Sequence, residues 1–376
     1  MDRVYIYKTV NYDENLIYRN LKKIVDESNL LEILKPESKI FLKLNLLIGK
    51  APEYAVTTHP EIVKQMAKIL YENGHKVIVG DSPAGPLTQP ALRSIYKQSG
   101  LIDAEKGGYF TLNYNCESLN YKADNAKKLK AFDIMKVLTE VDYIINICKL
   151  KTHSMMTFTC AVKNMYGAIV GLEKAKNHFK MHNAENFANH IIDVCEAVNP
   201  IFTIVDGVIG MEGNGPSGGD PIESKILAAG FNPYAIDKVL IDKIGFLEKD
   251  VLTVKFSRER KLFQEIEIIN DFDLAEIPKF KMPRSQDMSF LPNFIGGRLR
   301  SIIVNSLKSK PKFLHERCIK CKRCGEICPA QIISFNESNL PIFDKKKCIS
   351  CFCCHEVCPV KAIGVKRGLG SIFWGR

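Results

Sequence analysis

Two copies of one cysteine run leave the carboxyl end of this chain few ways to fold. The first carries Cys318, Cys321, Cys324 and Cys328 before Pro329, and the second carries Cys348, Cys351, Cys354 and Cys358 before Pro359. Both follow C-x2-C-x2-C-x3-C-P. Three thiolates with two residues between neighbours wrap a tight loop around one face of a cubane, and the loop's amides then point at the sulfurs. In this spacing the fourth cysteine serves the other cluster. The expected ligand sets are therefore Cys318, Cys321, Cys324 and Cys358 for one [4Fe–4S] cluster, and Cys348, Cys351, Cys354 and Cys328 for the second. Zinc favours four-cysteine sites built from separated pairs and fits the pattern poorly. Nine of the thirteen cysteines fall between 318 and 358, and Cys353 is the one without a place. Pro329 to Ile333 echoes Pro359 to Ile363, so the halves read as an internal repeat.

The rest of the chain is ordinary for a globular protein: 376 residues, 46% hydrophobic and 25% charged. That length suits one large domain and one small one. No uninterrupted apolar run reaches the eighteen or so residues a membrane helix needs. The start lacks a basic-then-apolar leader, so a cytoplasmic location is expected. The scattered Cys116, Cys148, Cys160 and Cys195 read as reduced packing residues. The net charge of +11 sits wholly in residues 291–376, with 16 Lys+Arg against 5 Asp+Glu. Eight ligating thiolates (−8) and two oxidised cores (+2 each) would bring that stretch to about +7. A basic tail favours an acidic redox protein, a ferredoxin or flavodoxin, or a partner oxidoreductase of that charge. Nucleic acid would also be attracted, but the basic-aromatic interleaving of an RNA-binding surface is missing.

Apolar runs rich in Val, Ile, Phe and Tyr at 3–9, 39–47, 76–80, 142–148, 201–206 and 225–230 predict strands. Amphipathic stretches at 14–34, 60–73 and 184–198 predict helices. Strand and helix in alternation imply an α/β domain with a mostly parallel sheet flanked by helices. A small α+β ferredoxin-like two-cluster domain would follow it. The expected boundaries are 1–290 for the α/β domain, 291–313 for a connector, and 314–376 for the cluster domain. The connector stretch is basic on an apolar background. A docking helix is its plainer reading, and a membrane-surface helix is the alternative.

Residues 1–290 resemble the DUF362 family. The resemblance rests on Lys43-Leu44-Asn45-Leu46, on Gly80-Asp81-Ser82-Pro83, and on Lys149 to His153 with Lys163-Asn164. It also rests on Asp206 through Pro216 and on Ala229 through Asp237. It implies an iron–sulfur protein and leaves the substrate open. The chemistry is read from the residues. Lys43, Lys149, Lys151 and Lys163 at strand ends, with His153, Asn45 and Asn164, would make an anion site. In catalysis the expected residues are Lys151, His153, Lys163, Asn164 and His178, the histidines as proton donors. For cofactor or ligand binding they are Lys43, Asn45, Asp81, Glu212, Gly213, Asn214 and Gly215. The glycines there would let backbone approach a ligand closely, and Glu212 and Asp206 are candidate metal or acid–base groups.

The leading expectation is an oxidoreductase. It would pass single electrons from a soluble donor through two clusters to an anionic small molecule, in an anaerobic setting. The alternative is a non-catalytic electron carrier serving a partner enzyme. A flavin would convert one-electron into two-electron chemistry, though no flavin fingerprint is present.

Overall fold

The computed structural model describes residues 1–181, 183–283 and 309–366. The strands of the large domain are β1 (Asp2–Lys8), β2 (Lys39–Lys43), β3 (Lys76–Gly80), β4 (Thr111–Leu112), β5 (Ser118–Lys122), β6 (Ala131–Met135), β7 (Tyr143–His153), β8 (Thr157–Thr159), β9 (Phe202–Glu212), β10 (Asp220–Gly230) and β11 (Ile266–Asn270). One sheet runs β11-β1-β10-β9-β7-β2-β3-β4, with β8 paired to the end of β7, while β5 and β6 form a separate ribbon. The pairs β2–β3, β2–β7, β3–β4, β7–β9 and β1–β11 are parallel. The pairs β1–β10, β9–β10 and β7–β8 are antiparallel. The sheet is thus mixed and mostly parallel, as the alternation of elements implies.

Its two faces bury separate cores, because successive strand residues point to opposite sides. Phe41, Cys148 and Leu150 face one core, shared with Phe187, Ile191, Leu240 and Val254. Ile40, Leu42, Ile145 and Ile147 face the other, shared with Leu21, Ile24, Met66 and Leu70. Helices Glu14–Glu27, Pro60–Glu72 and Ala184–Val198 stand where amphipathic spacing puts them, with Asp13, His59 and Asn183 accepting first-turn amides. The stretch 14–34 is broken at Asn29, whose φ is 55°, and resumes as Leu30–Ile33. Among the described residues no helix is long and apolar enough to cross a membrane.

The tail adds β12 (Lys310–Phe313), β13 (Ile333–Phe335), β14 (Pro341–Phe343) and β15 (Ile363–Lys366), with short helices Arg323–Glu326 and Cys353–Glu356. β12 pairs β15 and β13 pairs β14, both antiparallel. Lys310–Phe313, which the sequence assigns to the connector, is therefore a strand of the tail. The rest of the expected connector, 291–308, lies outside the described residues.

Candidate functional site

Strand β7 is central, and all but its first residue are buried, yet it carries two lysines. Lys149 lies in register with Asp206 of β9, and its Nζ stands 2.8 Å from Asp206 Oδ2. Tyr12 donates to Asp206 Oδ1 (2.8 Å), and the amide of His59 donates to Oδ2 (2.9 Å). Lys149 and Asp206 thus satisfy one another in the sheet. Asp206→Ala leaves a buried ammonium unpaired and is expected to cost about 3–5 kcal/mol. Urea denaturation checks this, and an unchanged midpoint would show that the pair contributes nothing to stability.

Past an irregularity in the β7–β9 register, Lys151 points elsewhere. Its Nζ donates to Val56 O at 2.7 Å. Burial, with Lys163 and Lys149 close by, brings its pKa down to about 7. Lys151 lines a cavity of about 720 Å³, part of it open to solvent, together with Lys163, Lys174, Asn45, Asn164, Asp81 and His178. Lys163 Nζ has no hydrogen-bond partner among the described residues; burial lowers its pKa, and the nearby Glu356 carboxylate opposes that only in part. Lys174 donates to Ser82 O and to Pro83 O (3.3 Å), and burial brings it to about 7.

Lys43 stands just behind this surface. It pairs with Asp81 Oδ1 at 2.7 Å and donates to Leu44 O and Asn164 O, both at 2.8 Å. Asp81 Oδ2 accepts the Leu46 amide at 2.8 Å. Position 167 must be glycine, since a Cβ there would stand 2.3 Å from Lys43 Nζ. Asn45 donates to Asn164 Oδ1 at 2.9 Å, and Asn164 in turn donates to Asn146 Oδ1 at 2.7 Å. The amide chain fixes both cavity-lining asparagines in orientation.

His153 does not line the cavity. Its Nδ1 accepts the amides of Met155 (3.1 Å) and Met156 (3.2 Å). The proton of a neutral ring is therefore on Nε2, which stands 3.1 Å from Glu356 Oε1 and faces that carboxylate. Burial and Lys163 push His153 down to about 4. His178 does line the cavity, and burial pushes it to about 3. Both histidines are neutral near pH 7, which makes them poor proton donors.

The opposite wall of the cavity belongs to the tail: Ile327, Cys353, Glu356 and Val357. The spacing of the chain gives no hint of this convergence. Cys353 is the cysteine left over from the ligand pattern, and neither Glu356 nor Lys174 belongs to any of the candidate sets read from the sequence. The tail is held by the loop after β9. His355 Nε2 lies 3.0 Å from Asn214 O, Ser217 donates to Glu356 O (2.8 Å), and Lys361 donates to Gly219 O (2.8 Å). Lys50 adds a bond to Pro359 O at 2.5 Å. The glycine-rich loop is thus a seat for the tail, and of its residues only Pro216 lines the cavity. Glu212 faces Lys281, with Oε1 2.9 Å from Nζ and Oε2 accepting its amide at 2.8 Å. The amide of Gly213 bonds Lys281 O, and Gly215 O accepts from Ser154. The close partner of this loop is the protein itself.

Within the tail, two further cavities take up the cysteines. One is lined by Cys318, Cys321, Cys324 and Cys358, the other by Cys328, Cys348, Cys351 and Cys354. These are the crossed sets expected from the spacing. Among the described residues no three His, Cys, Asp or Glu side chains close on a point as a single ion requires; each set of four thiols stands around a hollow instead. A four-thiol ring around a hollow fits a cubane.

Residues 317–362 match the 4Fe-4S dicluster domain, so the tail is an iron–sulfur electron-transfer module. A thylakoid-associated protein of Synechocystis sp., sll1697, is 29% identical over 264 residues, 67% of this chain and 76% of that one. Two solved structures resemble the fold weakly. The lactate racemase apoprotein of Thermoanaerobacterium thermosaccharolyticum has TM-score 0.37 and 14% identity over 60% of this chain. A protein from Thermotoga maritima has TM-score 0.35 and 12% identity over 67%. The chain spans 54% and 60% of those two proteins. Residues 40–242, more than half of the chain, match the domain of unknown function DUF362, and the protein belongs to that family.

Proposed function

We propose that this protein is an iron–sulfur oxidoreductase. Single electrons from a soluble donor pass through two [4Fe–4S] clusters to an anionic small molecule held in the cavity between the two domains. One observation carries this reading: the cavity that three lysines of the α/β domain face is closed by Ile327, Cys353, Glu356 and Val357, each within two residues of an expected cluster ligand. A ligand there is within reach of both the cations and the module.

The clusters supply one electron at a time. The other tasks fall to this chain's residues. Lys163, unpaired by hydrogen bonds, is the anion's first partner. Asn45 and Asn164, fixed by their amide chain, orient it. Ile327, Val357 and Tyr166 line part of the cavity with low-dielectric surface, and so strengthen the charge interactions beside them. Reduction adds negative charge to the ligand, and Lys151 and Lys174, both at about 7, are matched to give up a proton in response.

The sign of the pH dependence follows. Below pH 7 both lysines are charged, and an anion binds them best; as pH rises through 7 each loses its proton and affinity falls. The limit is about tenfold per pH unit for each linked proton. The test uses anaerobic protein photoreduced with deazaflavin and a panel of small carboxylates and phosphate esters. Ligand-dependent reoxidation of the clusters is followed by absorbance. One member of the panel is expected to reoxidise them, with affinity falling above pH 7 and lowered about tenfold or more by Lys163→Ala. Reoxidation by no anion, or by one that ignores both pH and Lys163→Ala, refutes the site.

A further inference from the structure

The two cysteine runs are copies of one scaffold, with Cys318 and Cys348 thirty positions apart. The backbone preserves the repeat. Lys320 and Ser350 share φ 59°, Lys322 and Phe352 share φ 61°, and Gln331 and Lys361 share φ 51°. Where the scaffold is duplicated, the positions at which the copies differ report on their separate tasks.

Between its ligands the first copy places Lys320, Lys322 and Arg323, and all three are exposed. Cys321 is exposed beside them, and Ile319 is 59% exposed. Arg317 extends the cationic rim, while Glu316 and Glu326 are the acidic residues of the stretch. The second copy has Ser350, Phe352 and Cys353 at the matching places. Phe352 and Cys353 are buried, as are the ligands Cys351 and Cys354. Its next residues, His355, Glu356, Pro359 and Lys361, make the bonds that seat the tail on the α/β domain. One copy therefore faces solvent behind cations, and the other faces the ligand cavity.

We propose that electrons enter at the first copy, from an acidic one-electron carrier protein seated on Ile319 and Cys321 inside the rim of Arg317, Lys320, Lys322 and Arg323. They leave by the second copy. Each encounter oxidises the carrier by one electron and reduces the module by one, with no proton moved. The apolar centre supplies contact area, and the cationic rim steers a negative partner and rejects a positive one. This rests on the electron-transfer reading above and adds the direction of flow and the chemistry of the donor.

The test uses the full cluster-loaded chain and a strongly acidic flavodoxin. Binding of the oxidised flavodoxin is measured by calorimetry at low and high salt. Carbodiimide cross-links between carboxylates and lysines are mapped by mass spectrometry. Binding is expected to weaken with salt and to fall about tenfold or more in the Lys320→Glu/Lys322→Glu variant, with cross-links at Lys320 and Lys322. Lys345→Glu/Lys346→Glu/Lys347→Glu, a larger charge change on the same module, is expected to alter binding less than about threefold. Equal losses in the two variants, cross-links elsewhere, or salt-independent binding overturn the proposal, as does preferential binding to anionic vesicles over flavodoxin. Photoreduction by deazaflavin bypasses the donor, so ligand-dependent reoxidation in the Lys320→Glu/Lys322→Glu variant tests the cavity separately. A failed cavity and a failed docking surface therefore give different results.

Discussion

Gly218→Val is expected to leave the clusters loaded and both domains folded, yet to cut ligand-dependent reoxidation severely. A Cβ at 218 would stand 2.4 Å from Cε1 and 2.7 Å from Nε2 of His355. That ring has little freedom to yield, since it is buried between two backbone carbonyls, Asn214 O facing Nε2 and Ile363 O facing Nδ1. Overpacking of this kind costs about 1–3 kcal/mol. Here the strain can be relieved by lifting the tail off its seat, so the docking equilibrium constant falls by about 5- to 150-fold. Iron content and the thermal transition of the α/β domain should be unchanged, because neither depends on the seat. Full reoxidation rates in Gly218→Val would show that the cavity wall formed by the tail is dispensable.

Cys328→Ala should remove a cluster from the other run. Cys328 belongs to the first run in sequence but lines the hollow of Cys348, Cys351 and Cys354. Its loss is expected to halve iron and sulfide, from about eight to about four of each per chain. The cluster remaining should be the solvent-facing one. Cys358→Ala should do the opposite, since Cys358 lines the hollow of Cys318, Cys321 and Cys324. The two half-loaded proteins are then told apart by access: the cluster beside exposed Cys321 should react with chelators faster than the one behind buried Cys351 and Cys354. Loss of the same cluster in both variants, or zinc in either, would refute the crossed arrangement.

Much of the architecture is legible in the sequence, and its gaps have a common cause. The six strands expected at 3–9, 39–47, 76–80, 142–148, 201–206 and 225–230 are all present, but β7 runs on to His153 and β9 to Glu212. Apolar periodicity stops at a lysine or a glycine, whereas the strands continue through them because their amines and amides find partners across the sheet. Lys149 shows how a charge mistaken for a site residue can be a structural pair, since its partner Asp206 lies on another strand. Lys151, Lys163, Asn164, Asn45, Asp81 and His178 do come together, while Lys43 supports them from behind and His153 is turned toward Glu356. The glycine-rich loop was legible as a place of close approach. What approaches, the ring of His355, could not be read from local spacing, because it comes from a separate part of the chain. Glu356 and Lys174 were missed for the same reason: a charge beside a cysteine run or in a short helix reads as solvated until the opposing wall is known.

The cavity's two walls are encoded far apart, so the tail cannot be exchanged freely among related chains. A transplanted module that kept all eight cysteines would still carry current. Without matching residues at 327, 353, 356 and 357, and a loop shaped to receive them, it would deliver that current to an incomplete chamber. Inheritance should therefore link those four positions to Lys151, Lys163 and Lys174 more tightly than to the cysteines beside them.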